Sequence, residues 1–324
     1  MLNNEIYRPI RQELNLVEEN LRGLLQTKDT FISDAINKIL YAGGKRLRPA
    51  LLLLSAKLCN YSGDRGIKLA TAIELIHTAS LIHDDIIDHD ALRRGIPTIN
   101  SQLGDTTSVI LGDFLYSLVF EILAEDGDID IIRSVARTTS QMAKGDLRQV
   151  LNQFNTDLTE EKYLSINADK TASLISCACW IGAMIGSQSN GEVDILQRYG
   201  MNLGMAFQIT DDLLDITADE KVFGKPLGSD IREGKLTLPL IYTMRFASKK
   251  DRAWIRDTFK SRHIDKDASY QIQKMVKQYN GIEYSFKKAQ EYRNECKQEL
   301  TLLENSDCQE TLAQFADYVV ERVY

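Results

Sequence analysis

Two carboxylate-dense motifs stand out in this chain: Asp84-Asp85-Ile86-Ile87-Asp88 and Asp211-Asp212-Leu213-Leu214-Asp215. In a helix, residues four apart share a face, so Asp84 stacks on Asp88 and Asp211 on Asp215. Like charges at that spacing repel unless a cation lies between them. Both motifs follow apolar runs, Ala79 to Ile82 and Met205 to Ile209. Carboxylates on largely buried helices need partners or metal. Oxygen-only donors favour Mg2+, which keeps several waters and bridges to phosphate oxygens. Two such walls facing each other would grip a diphosphate through several Mg2+ ions.

Cations and dipoles near these motifs extend that chemistry. Gly43-Gly44-Lys45-Arg46-Leu47-Arg48-Pro49 ends one helix and opens another. Its glycines let backbone approach a ligand, and Lys45 and Arg48 can meet a phosphate, the arginine through a bidentate fork. His77 lies two turns before Asp84 on the same face, either as a satisfied core residue or as a donor to a second diphosphate. Arg93-Arg94-Gly95 follows the first motif, where two cations either neutralise the aspartates or clamp phosphate. Lys170-Thr171, Gln208, Lys225 and Lys235 add polar groups in otherwise apolar or glycine-rich contexts. Lys225 sits in Gly224-Lys225-Pro226-Leu227-Gly228-Ser229-Asp230, either a solvated surface loop or a flap over the metal site.

The elements that must position these groups are helices. Apolar residues at i+3/i+4 spacing predict helices over 5–25, 30–42, 66–90, 105–125, 129–154, 159–188, 192–219 and 235–247, and outer amphipathic helices in the last quarter. No period-2 strand of convincing length is present, and Asn190-Gly191 separates two helices rather than turning a hairpin. With no Pro/Gly/Ser-rich linker, the 324 residues are expected to form a single all-α domain, an antiparallel bundle with its site in a central cavity between facing helices.

Composition excludes other classes. A formal net charge of −7 argues against a nucleic-acid partner. Five cysteines, an odd number in no zinc spacing, read as reduced core thiols of a cytoplasmic protein. The polar start Met1-Leu2-Asn3-Asn4-Glu5 lacks the apolar run of a signal peptide. The longest uncharged stretch, 171–191, is diluted by Ser, Thr, Gln and Asn, so a buried core helix is expected there and no transmembrane segment.

Taken together, the motifs resemble those of the trans-isoprenyl diphosphate synthases (polyprenyl synthetase family), five in family order: Gly43 to Pro49; His83 to Asp88 with Arg93-Arg94-Gly95; Lys170-Thr171; Phe207 to Asp215; and Gly228-Ser229-Asp230-Ile231-Arg232-Glu233-Gly234-Lys235. The resemblance spans about residues 30–245. It implies the isoprenoid synthase fold, usually homodimeric, and condensation of isopentenyl diphosphate with an allylic prenyl diphosphate. Asp84 and Asp88 would bind two Mg2+ ions and Asp211 a third, with Asp215 in support. Arg93, Lys170 and Lys235 would hold the allylic diphosphate, and Lys45, Arg48, His77 and Arg94 the isopentenyl diphosphate. Thr171 and Gln208 would direct dipoles at the allylic carbon, while Lys225, Asp85 and Asp212 complete the candidate catalytic set. Many long-chain members carry Gly-Glu-x-x-Gln where this chain has Gly145-Asp146-Leu147-Arg148-Gln149.

In families resembling this one, product length is set by side-chain bulk just upstream of the first aspartate motif. Residues four and five before Asp84, Ser80 and Ala79, lie roughly 6–7.5 Å below it and are small. Ile76 and Ile73, on the next turns, block weakly, and Tyr116 or Phe120 would form a floor from a facing helix. A long product is expected, of hexaprenyl to octaprenyl length or beyond. Rival readings are a short-chain synthase, a terpene cyclase, a regulatory subunit without catalysis, and the catalytic half of a heterodimer with a small partner. The cyclase reading fails on the all-Asp second motif, and the regulatory reading on the completeness of both motifs.

Overall fold

The computed structural model describes residues 6–24, 46–93, 95–187, 189–217 and 228–321. The helix expected over 30–42, together with Lys45, Arg94 and Lys225, lies outside the described residues. Within them, regular structure is helical apart from one two-residue strand pair, Leu92–Arg93 with Ile96–Pro97. That pair is too short for a hydrophobic period to reveal, and Gly95 turns it at φ +77°.

The described residues fall into two compact units. One comprises Met1–Thr139, Leu174–Gly200 and Lys297–Phe315. Here the Arg65–Ile87 helix packs on Arg11–Leu24, Leu47–Leu58 and Asp105–Asp126. The Leu47–Leu58 helix is buried from Leu47 through Ala56, as expected of a helix apolar nearly all round. Gly182 permits the Ser173–Gly186 helix to close on it, since a Cβ there would sit 2.1 Å from the Leu52 carbonyl oxygen. Leu174, Ile175, Ala178, Cys179 and Ile181 are buried, so the uncharged stretch does form a core helix. Arg65 fixes the far end of the unit, its Nε and Nη2 donating to Asp126 at 2.6 and 2.8 Å and Nη2 also to Asp128 at 2.9 Å.

The Asp105–Asp126 helix is long and apolar enough to cross a membrane by length and composition alone. Its Leu111, Leu115, Leu118, Val119, Ile122 and Leu123 face is nevertheless buried in the unit, as in a core helix. Val109, Ile110 and Phe120 are exposed. Phe120, at 65% exposure, therefore closes no tunnel within this unit, whereas Tyr116 is half-buried with its ring 6.3 Å from that of His83.

The other unit comprises Ser140–Ser173, Met201–Cys296 and Ala316–Tyr324. The helix expected over 159–188 is here interrupted. Glu160–Asn167, N-capped by Thr159, gives way to a widened turn over Ala168–Ala172 before Ser173–Gly186 continues. In that turn the Ser173 N–H reaches back five residues to the Ala168 carbonyl, the spacing of a π turn. A 3.6-residue pattern does not report such a one-residue insertion. Two glycines hold it: a Cβ on Gly145 would lie 2.6 Å from the Lys170 nitrogen, and one on Gly204 would lie 2.4 Å from the Ala172 Cα. The Ser229–Arg232 turn leads into a loop pinned by the Phe154 N–H, which donates to the Gly234 carbonyl at 2.7 Å. Gly234 has φ +76°, and a Cβ there would strike the Phe154 ring.

Candidate active site

In the first unit, the Arg65–Ile87 helix carries Ile76, His77, Ala79, Ser80, Asp84 and Asp85, and ends at Asp88. Asp84 and Asp88 are half-buried one turn apart, and Asp85, turned inward, is buried. The strand pair delivers Arg93 to it: Nε donates to Asp85 Oδ1 at 2.7 Å and Nη2 lies 2.6 Å from the same oxygen. Asn100 Nδ2 donates to the Asp85 carbonyl at 3.2 Å, tying the following short helix to the motif. Asp85 is thus an anchor for Arg93, while Asp84 and Asp88 supply the paired carboxylates of one helix face.

Ala79 and Ile76 are fully buried. Ser80 is half-buried, its hydroxyl donating to the His77 carbonyl at 2.8 Å. His77 is half-buried. Arg48 is buried in the first turn of Leu47–Leu58. Its neighbour Arg46 caps that helix at φ 45° and bridges Glu18 and buried Glu74, the latter at 2.9 Å. Burial pushes the Glu74 carboxyl up, and the charges of Arg46 and Arg48 oppose the shift. Arg46 thus ties three helices together, a role its place in a basic cluster does not disclose.

In the second unit, the Asn190–Thr217 helix presents Gln208, half-exposed Asp211, and buried Asp212 and Asp215. Lys170 and Thr171 project from the widened turn. Lys170 Nζ lies 2.9 Å from Asp146 and donates to Gln149 Oε1 at 3.0 Å. Asp146, with Gln149 three residues on, therefore aims Lys170. The Thr171 hydroxyl donates to Gln208 Oε1 at 2.7 Å, and Gln208 Nε2 donates to Asp212 Oδ1 at 2.8 Å. The Tyr163 hydroxyl donates to the other Asp212 oxygen. Burial raises the Asp212 carboxyl to about 7, against the pull of the Tyr163 and Gln208 hydrogen bonds.

Asp215 accepts from the Ser229 N–H and hydroxyl at 3.1 and 2.5 Å and from the Asp230 N–H at 3.2 Å. It binds the Ser229–Arg232 turn to the motif helix, and burial raises its carboxyl. Burial and the negative charge of Asp215 raise Asp230 further, with Lys235 opposing. Lys235 forms a 2.7 Å pair with Glu233. Of the site neighbours, Tyr163 lies in no motif, while Asp146, Gln149 and Asp230 lie inside quoted motifs that assign them no partner. Tyr163 carries no sequence signal of this role, because the widened turn between it and Thr171 breaks the 3.6-residue register.

Among the described residues, no group of three or more His, Cys, Asp or Glu side chains forms a ready-made metal cage. Paired carboxylates fit Mg2+ differently, because that ion takes one or two carboxylates and completes its shell with water and substrate phosphate. Asp84, Asp88 and Asp211 have the donor chemistry and the partial exposure this requires.

A sequence model of the Polyprenyl synthetase family matches residues 29–277. The chain is 36% identical to a short chain isoprenyl diphosphate synthase of Methanothermobacter thermautotrophicus, over 98% of this chain and 99% of that one. It is 31% identical to an octaprenyl diphosphate synthase of Haemophilus influenzae, over 99% and 97%. It also superposes on a polyprenyl synthase of Caulobacter crescentus, solved with calcium and isoprenyl diphosphate, with TM-score 0.95, 30% identity and coverage of 99% and 98%. The chain belongs to the polyprenyl synthetase family and has its all-α isoprenoid synthase fold; it is a prenyltransferase.

Proposed function

We propose that this prenyltransferase is a Mg2+-dependent long-chain synthase, adding isopentenyl diphosphate head-to-tail to an allylic prenyl diphosphate until a heptaprenyl to octaprenyl chain results. The observation that carries the length is the pair Ala79 and Ser80, small side chains one turn below Asp84 with buried Ile76 beneath. Relatives' names run from short-chain to octaprenyl, so the alternative is a farnesyl- or geranylgeranyl-length product.

Asp84 and Asp88 would hold two Mg2+ ions and Asp211 a third, with Asp215 positioning its helix. When bound, the ions neutralise charge on the diphosphate that leaves the allylic carbon. Arg93, Lys170 and Lys235 bind that diphosphate, each held by a carboxylate neighbour, Asp85, Asp146 and Glu233. Arg48 and His77, with Lys45 and Arg94 outside the described residues, bind isopentenyl diphosphate; Lys225, also outside them, shields the site. Thr171 and Gln208 turn their dipoles to the allylic cation. No side-chain base is needed, because the released diphosphate can take the proton.

The working form we infer is a single catalytic domain acting as a cytoplasmic homodimer. Exposed Val109, Ile110 and Phe120 on one helix support self-association. Cys59, Cys177, Cys179, Cys296 and Cys308, all present as thiols, support a reducing compartment.

The test is product analysis of the purified chain with farnesyl diphosphate, labelled isopentenyl diphosphate and Mg2+. A ladder ending at hexaprenyl to nonaprenyl supports the reading, and Ala79→Tyr should shorten it to geranylgeranyl or less. A wild-type stop at farnesyl or geranylgeranyl length would refute the length argument. Incorporation that needs a second protein would mean a small partner subunit.

A further inference from the structure

We propose that Tyr163 is a positioning residue for prenyl transfer: through Asp212 it fixes the Gln208 amide, and thereby the direction of the Thr171 hydroxyl. This rests on the prenyl-transfer reading of the site. The four side chains form one hydrogen-bonded chain whose donors converge on Asp212. Tyr163 donates to one Asp212 oxygen, Gln208 Nε2 donates to the other at 2.8 Å, and Thr171 donates to Gln208 Oε1 at 2.7 Å.

With one Asp212 oxygen accepting from Tyr163, the other faces Gln208 as an acceptor and takes the NH2 end of its amide. That leaves the amide oxygen toward Thr171, whose hydroxyl must then donate inward. Its lone pairs are left for the positive charge developing on the allylic carbon. A flipped amide would reverse the sequence: Gln208 would donate to Thr171, and the hydroxyl proton would turn outward, where it repels a cation. Tyr163 holds Asp212 in the orientation that prevents the flip. Burial keeps the phenol well above its ordinary range, so it stays a neutral donor at any working pH. Tyr163 is itself fixed: it is buried in the Glu160–Asn167 helix, which runs directly into the widened turn bearing Thr171.

Tyr163→Phe removes one oxygen and little volume. With the hydroxyl dipole no longer fixed, kcat should fall about tenfold, the worth of one buried hydrogen bond to a charge. KM for both substrates should stay within about twofold, because the diphosphate contacts are untouched. In a Thr171→Val background, which lacks the hydroxyl, the same substitution should change kcat by less than about twofold. A second readout needs no turnover: the Gln208 side-chain amide protons, followed by NMR and identified by their loss in Gln208→Glu, should exchange faster in Tyr163→Phe. Should Tyr163→Phe not fold, Asp212→Asn carries the test, since an Asn amide satisfies Gln208 in either orientation and the same kcat-selective loss is expected. A rise in KM at unchanged kcat, additive losses in the Val background, or unaltered amide exchange would overturn the proposal. Inactive wild type would instead overturn the prenyl-transfer reading, and the exchange measurement would still decide the role of Tyr163.

Discussion

Gly204→Ala is a sharp perturbation of the geometry that presents Lys170 and Thr171. The new Cβ would lie 2.4 Å from the Ala172 Cα and 2.7 Å from its Cβ. That is about 1 Å inside ordinary carbon–carbon contact, and the nearest atom is backbone, so it cannot swing aside. Overpacking of this kind costs about 1–3 kcal/mol, and the helix-propensity gain of Ala over Gly returns up to about 1 kcal/mol. The net expectation is a loss of about 1–2 kcal/mol. The catalytic effect should be larger than the stability effect, because a shift of about 1 Å moves Thr171 off its 2.7 Å bond to Gln208 and can cost about 10²-fold in rate. Urea denaturation gives the first quantity and steady-state incorporation of labelled isopentenyl diphosphate the second. Gly23→Ala is the control, since a Cβ at that position would meet nothing within 4 Å; it should stabilise by about 0.5 kcal/mol and leave activity unchanged. If Gly204→Ala is as stable and as active as the parent, the clasp around the widened turn does not set the geometry of Lys170 and Thr171.

Two further outcomes follow from buried charge and burial. Arg93→Met leaves Asp85 buried without its 2.6 Å partner and should destabilise by about 3 kcal/mol in urea melts, while Arg93→Met combined with Asp85→Leu should recover most of that but no activity. The Cys59 and Cys179 thiols, raised by burial from 9.0 to about 12, should resist iodoacetamide in the native protein at pH 8. Between pH 9 and 12 the unfolded chain ionises these thiols and the folded one does not, so stability falls as pH rises through that window. Cys179→Ala should flatten the fall in the urea midpoint, and an unchanged slope would count against the burial argument.

Much of the architecture was legible in the residues alone. The i+3/i+4 apolar spacing gave the helices at 65–87, 105–126, 129–151 and 190–217 within a few residues, because burial of one face imposes that period. The aspartate motifs announced their chemistry for the same reason, four-residue spacing placing like charges on one face. What the spacing could not carry was anything dependent on a partner distant in sequence. That Arg46 serves Glu18 and Glu74, that Asp215 secures Ser229 rather than standing open, and that Phe120 faces outward are each settled by packing.

Helical class, family and donor types are written in the linear order of residues, since each follows from local period or residue chemistry. Which donors act, and which restrain them, is a matter of folding alone: Tyr163 meets Asp212 from 49 residues away and Gln208 meets Thr171 from 37. A hydrogen bond's direction depends on which groups burial brings within about 3 Å of each other, and no one-dimensional pattern encodes that.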